Sequence, residues 1–133
     1  MQDEDIDLTR LHVLLVEDEK FAVKLESMVL KQIGITQVTI AEDGESAIQL
    51  IDTQDFDVVL SDWNLPGANG LDILRHLRSR RAKTPFVMLT GNKGLDAVQE
   101  AVAQGVDGYL VKPFSVPQMK SKIISALRRQ GRL

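Results

Sequence analysis

The sequence predicts an α/β fold: a five-stranded parallel sheet, doubly wound, with five helices. Two observations carry this. Five short β-type runs recur about 21 to 28 residues apart, and each is followed by a longer amphipathic segment. The first run, Leu11 to Val16, is continuous rather than alternating, as a strand covered on both faces is. Strand–helix units of this length connect by right-handed crossovers, which place helices on both faces of a parallel sheet.

Each element has its own justification. Leu11 to Val16 reads as the first strand. A helix follows in which Phe21, Leu25, Met28, Val29 and Ile33 form one stripe of a 3.6-residue period. Gly34 ends it. The second strand is Thr36 to Ala41, and Asp43-Gly44 opens a helix with Ala47, Ile48 and Ile51 inward. Asp57 to Ser61 is the third strand, broken by Leu65-Pro66-Gly67. Asn69 is placed to cap a third helix carrying Leu71, Leu74 and Leu77. Phe86 to Leu89 is the fourth strand, and its helix runs through Val98 and Val102 to Gly105. Gly108 to Val111 is the fifth. The last helix starts with Ser115 and Gln118 at capping-box spacing and turns Val116, Met119, Ile123 and Leu127 inward.

Composition excludes several function classes. A chain of 133 residues is one domain by size. Its 44% apolar and 26% charged residues are the balance of a folded domain rather than a disordered tail. The longest apolar run has four residues, Val13 to Val16, far short of a membrane span. The N-terminus is acidic (Asp3, Glu4, Asp5, Asp7) and has no apolar signal region. Without cysteine there is no disulfide, thiolate metal site or thiol catalysis, which agrees with a cytoplasmic location. A net charge of −3 is too acidic for a protein that neutralises many phosphates. The expected layout is a mobile acidic tail over residues 1–10, a domain over 11–129 and a short tail over 130–133.

In a sheet of this kind chemistry gathers beyond the carboxyl ends of the strands. Glu17, Asp18 and Glu19 follow the first strand, and Asp62, Trp63 and Asn64 end the third. Thr90 lies behind the fourth, Lys112-Pro113-Phe114 behind the fifth. Two ionised carboxylates about 5 Å apart repel by roughly 3 kcal/mol at an effective dielectric near 20. A hard divalent ion such as Mg²⁺ suits carboxylates with no His or Cys among them. Taken singly, such an Asp is an ordinary helix cap or turn former, as is Thr90, and Lys112 is an ordinary surface lysine. Their joint placement behind four strands is what argues for a site. His12 and His76 read as solvated, Trp63 as packing, and Arg75, Arg78, Arg80, Arg81 and Lys83 as a solvated helix end.

These residues resemble the receiver domain of bacterial two-component response regulators, from about Leu11 to Arg129. Glu17-Asp18, Ser61-Asp62-Trp63-Asn64-Leu65-Pro66, Gly70-Leu71, Thr90 and Gly108-Tyr109-Leu110-Val111-Lys112-Pro113-Phe114 carry the resemblance in order and spacing. The Asp62-Trp63-Asn64 segment and the Ala41-Glu42-Asp43-Gly44 turn are most similar to the single-domain chemotaxis type. The resemblance implies the flavodoxin-like strand order 2-1-3-4-5, of which a chemotaxis receiver is a known instance. It implies that Asp62 is the phosphoacceptor for a histidine kinase or phosphotransfer protein. Mg²⁺ is implied at Asp18, Asp62 and the Asn64 backbone carbonyl, with Glu17 reaching it through water. Lys112 and Thr90 then contact the phosphoryl group, and Thr90 with Tyr109 forms a switch that reshapes the fourth helix, fifth strand and fifth helix. The same analogy expects a cis Lys112–Pro113 bond.

The chain departs from the common pattern at Glu17, where Asp is usual, and at Gly67-Ala68-Asn69. Lys93-Gly94-Leu95 lacks the basic pair of chemotaxis receivers, which bears on docking to a flagellar motor. Asn64 and Asn92 stand at the positions that tune hydrolysis in the family. A flavodoxin-type carrier is disfavoured because Glu17-Asp18-Glu19 repels phosphate. A haloacid-dehalogenase-type phosphohydrolase needs a second Asp where Asn64 stands. The expected role is signalling phosphoacceptor rather than enzyme, with output through a protein partner and no direct contact with DNA or membrane. A phosphorelay intermediate and a degenerate receiver acting only as a binding module stay open as alternatives.

Overall fold

The computed structural model describes residues 6–80, 82–91 and 94–133. Five strands and five helices alternate: β1 (His12–Val16), α1 (Lys20–Ile33), β2 (Gln37–Ala41), α2 (Gly44–Thr53), β3 (Val58–Asp62), α3 (Gly70–Ser79), β4 (Phe86–Thr90), α4 (Leu95–Ala103), β5 (Gly108–Val111) and α5 (Val116–Arg129). All strand pairs are parallel, in the order β2-β1-β3-β4-β5. Fold class and strand order are thus those expected. No helix among the described residues is long and apolar enough to cross a membrane.

Strand alternation divides the core in two. Val13, Leu15, Val58, Leu60, Val87 and Leu89 face the layer containing α1 and α5. Leu14, Val16, Val59, Phe86 and Met88 face the layer containing α2 and α3. Both sets are fully buried, which is why β1, β3 and β4 are rich in apolar residues on both faces. Each such side chain contributes about 2 kcal/mol of transfer free energy. Packing also begins before Leu11: Leu8 is buried in the first layer and Ile6 packs against it.

Caps set the helix boundaries. Asp43 accepts from the Ser46 N–H at 2.7 Å, and Asn69 and Ser115 form full capping boxes with Asp72 and Gln118. Gly34 ends α1 in the left-handed conformation, φ 104°. Gly70 answers a different demand. A Cβ there would lie 2.5 Å from the Asp62 carbonyl oxygen, so only glycine lets α3 start this close to the end of β3.

Three sequence expectations need correction. Phe21, Leu25 and Met28 do not form the inner face of α1; they are 65%, 47% and 54% exposed. The buried positions are Glu26 and Leu30, with Val29 and Ile33 packed beside them. The two helical faces have similar apolar content, and packing on the sheet selects the one that carries Leu30. Arg78 is not solvated, because its guanidinium donates to the carbonyls of Ala82, Thr84 and Gly105 and to Asp107. Arg75 and Arg80 are exposed as expected, whereas Arg81 lies outside the described residues. The histidines have partners from other elements that linear spacing cannot show: His76 pairs with Asp52 at 2.8 Å, His12 with Thr39 at 2.7 Å.

Candidate functional site

The sheet register brings the expected residues to one edge. Val16 is opposite Ala41 and Ser61, Asp62 opposite Leu89, and Thr90 opposite Val111. The residues just beyond β1 and β5 are then Glu17 and Lys112, level with Asp62 and Thr90. Backbone bonds extend this alignment. Glu17 N–H donates to the Ala41 carbonyl at 3.0 Å, and Lys112 N–H to the Thr90 carbonyl at 2.8 Å. The Lys112–Pro113 peptide bond is cis.

Carboxylate oxygens of Glu17, Asp18 and Asp62 lie within 4.8 Å of one another. Glu17 is 1% exposed, Asp62 partly buried and Asp18 open to solvent. Glu19, the third acid in that run, does different work: it caps α1 by accepting from the N–H groups of Phe21 and Ala22. Lys112 Nζ donates to Glu17 at 2.7 Å and lies 3.5 Å from both Asp62 and Glu26. Three carboxylates thus share the charge of one lysine. The donors are all hard oxygens, grouped closely enough for one ion, with an excess of negative charge; that set fits Mg²⁺.

Electrostatics follow from burial and from this imbalance. Burial pushes the Asp62 carboxyl up, the Lys112 charge pulls it back and Glu17 adds repulsion, leaving it at about 6. Burial also raises Glu17, but the hydrogen bond and charge of Lys112 outweigh it and hold the group below the ordinary carboxylate range. Glu26 is pushed up to about 8, by burial first and then by the Glu17 charge. Burial alone would lower the Lys112 ammonium; its acidic neighbours raise it instead.

Thr90 and Tyr109, the expected switch pair, already touch. Thr90 is fully buried, and its side chain shares a hydrogen bond with the Tyr109 phenol. The Tyr109 ring meets Trp63 edge-on at 6.3 Å. Trp63, Asn64, Thr90, Asp96, Ala97 and Glu100 line a cavity of about 270 Å³ beside them. Asn64 is exposed at its rim, and Asn92 lies outside the described residues. Glu26 is the site residue that sequence reasoning missed. The available signal was its spacing of four from both Ala22 and Leu30, which sets an acid on the buried face of α1.

Comparisons with known proteins agree with this arrangement. The family pattern described as response regulator receiver domain matches residues 13–124. The chain is 34% identical over 121 residues to the chemotaxis protein CheY of Pseudomonas aeruginosa, covering 90% of this chain and 98% of that one. The receiver domain of a Francisella response regulator superposes with a TM-score of 0.82 at 30% identity, covering 90% of this chain and 98% of the other. The receiver domain of a Pseudomonas aeruginosa sensor histidine kinase, solved with magnesium coordinated in its active-site cleft, gives 0.79 at 27% identity. That match covers 91% of this chain and 98% of the other.

Proposed function

We propose, from the premise that this chain belongs to the response regulator receiver family, that it accepts a phosphoryl group on Asp62 and signals through a changed surface. The observation that carries the reading is the position of the Asp62 carboxylate, 3.5 Å from Lys112 and grouped with Glu17 and Asp18. The donor is a phosphohistidine on a histidine kinase or phosphotransfer protein. An Asp62 oxygen attacks phosphorus, the P–N bond breaks, and its electron pair leaves with the imidazole. The product is an acyl phosphate. With its carboxyl at about 6, Asp62 is mostly ionised at neutral pH and available as the nucleophile.

Glu17, Asp18, Asp62 and the Asn64 backbone carbonyl would hold Mg²⁺. When bound, the ion supplies charge neutralisation between the carboxylates and the phosphoryl oxygens. Lys112 supplies a further positive charge on the other side. The Thr90 hydroxyl donates to the phosphoryl group, which draws it from Tyr109 and repositions the phenol. Since Tyr109 lies on β5, the change is passed to the face formed by α4, β5 and α5. A downstream protein reads that face, and the cytoplasm is the setting in which it meets the donor.

Acetyl phosphate tests the reaction without a kinase. In Mg²⁺ the protein should gain the mass of one phosphoryl group, and in EDTA it should gain none. No labelling in Mg²⁺, or equal labelling in EDTA, contradicts the proposal.

A further inference from the structure

Trp63 is a residue for which the phosphoryl-transfer scheme above has no use, yet it stands between the acceptor and the switch. Side chains alternate across a strand. Asp62, two residues on from Leu60, lies toward α1 with Lys112 and Glu26. Trp63 lies on the other face and packs against the second core layer, as does Tyr109. Trp63 and Thr90 line the same cavity of about 270 Å³. Acceptor and indole are thus on opposite faces of the sheet, one peptide bond apart, and the switch pair is on the indole's side. The Trp63 backbone is held at both ends: its N–H donates to the Leu89 carbonyl at 3.0 Å, and its carbonyl accepts from the Gly70 N–H at 2.8 Å. Its ring meets Tyr109 edge-on, with centroids 6.3 Å apart and planes at 77°.

Tyr109 is restrained by the Thr90 hydrogen bond at its phenol and by the Trp63 ring at its side. Phosphoryl binding draws Thr90 away but does not by itself break the ring contact. We propose that Trp63 is a positioning residue that holds the Tyr109 ring against Thr90 and so restrains the switch until the phosphoryl group forms. The inference rests on the reading of Thr90 and Tyr109 as the switch that answers Asp62. An edge-on aromatic pair biases a local equilibrium by about two- to tenfold. An aliphatic side chain in its place still covers the core layer but offers the phenol ring no oriented partner, so the ring leaves Thr90 more often. The indole thereby ties the loop after β3 to β5 without passing through the Thr90 hydroxyl.

The test reads the rate at which tetranitromethane nitrates Tyr109 in the full chain. Tyr109 is the one tyrosine of the sequence, so a single peptide mass follows it. Trp63→Leu and Trp63→Phe are compared before phosphorylation, each with Thr90 intact and with Thr90→Val. With Thr90 intact, Trp63→Leu should nitrate at least threefold faster than wild type. Trp63→Phe, which keeps an aromatic edge, should stay within about twofold. In the Thr90→Val background Trp63→Leu should add little, because the contact it breaks acts by holding the phenol at Thr90. Equal acceleration in both backgrounds would mean that the indole merely shields Tyr109 from the reagent. That outcome, a wild-type rate in Trp63→Leu, or equal acceleration in Trp63→Phe would each overturn the role of Trp63. Acetyl phosphate labelling of wild type is measured alongside. Where wild type labels, those outcomes leave the receiver reading standing. Wild-type protein that does not label overturns the receiver reading and this inference together.

Discussion

The Lys112 ammonium donates to Glu17 at 2.7 Å, which pairs the cation of the site with a carboxylate that is 1% exposed. Removing the lysine takes away the cation that pairs with the buried Glu17 and lies beside Asp62. Breaking one side of a buried pair costs on the order of 3 kcal/mol. Lys112→Ala should therefore unfold at lower urea in EDTA. Adding Mg²⁺ should restore part of the loss, since an ion held by the clustered carboxylates would bind the folded state alone. Equal urea midpoints for the variant and wild type in EDTA would contradict the pairing.

Arg78 anchors the opposite end of the sheet. Its guanidinium donates at 2.7 Å to Asp107, whose side chain is fully buried, and also to three carbonyls. Asp107 in turn accepts from the Phe86 N–H and from Gln130. Arg78→Ala should lose about 3 kcal/mol by chemical denaturation. Arg75 makes only exposed pairs with Asp72 and Glu100, and Arg75→Ala should stay within about 0.5 kcal/mol of wild type. Similar losses for the two variants would remove the distinction.

Acid stability depends on Asp43. The backbone N–H of Ser46 holds the Asp43 carboxyl below its usual 3.8 by hydrogen bonding to the charged form. The folded value is the lower one, so the contribution is present above 3.8 and is lost as pH falls through the folded value. Asp43→Asn keeps a capping oxygen but takes up no proton. Its stability below about pH 4 should fall less steeply with acid than that of wild type. Identical slopes in acid titrations of stability would contradict the assignment.

Trp63, the one tryptophan of the chain, is adjacent to Asp62. Its ring packs against Tyr109 and lines the cavity next to Thr90. Fluorescence should change saturably with Mg²⁺ at constant ionic strength, which controls for screening. Asp18→Ala should lose most of the response, because one of the three clustered carboxylates is gone. A response intact in Asp18→Ala would move the ion elsewhere.

How much of this was legible in the sequence depended on whether a signal was local. Strand runs, caps and the breaks at Gly34 and Pro66 are local, and their positions were read within a residue or so. The convergence of Asp62, Thr90 and Lys112 was legible because parallel order puts every strand's carboxyl end on one edge. The face of α1 was misread because Phe21, Leu25 and Met28 form as good a stripe as Ala22, Val29 and Leu30. Only packing against β1 and α5 decides between them. Glu26 went unnoticed for the same reason. Arg78 with Asp107, and His76 with Asp52, join residues more than 20 positions apart, which no local pattern encodes.

The identity of the phosphorylated atom is the most direct test of the account. After labelling with acetyl phosphate and Mg²⁺, borohydride reduces an acyl phosphate on aspartate to homoserine, which peptide mass analysis can locate. The account predicts homoserine at position 62 in wild type and no labelling of Asp62→Asn, whose amide cannot attack phosphorus as a carboxylate does. Homoserine at another aspartate, or equal labelling of Asp62→Asn, would contradict it.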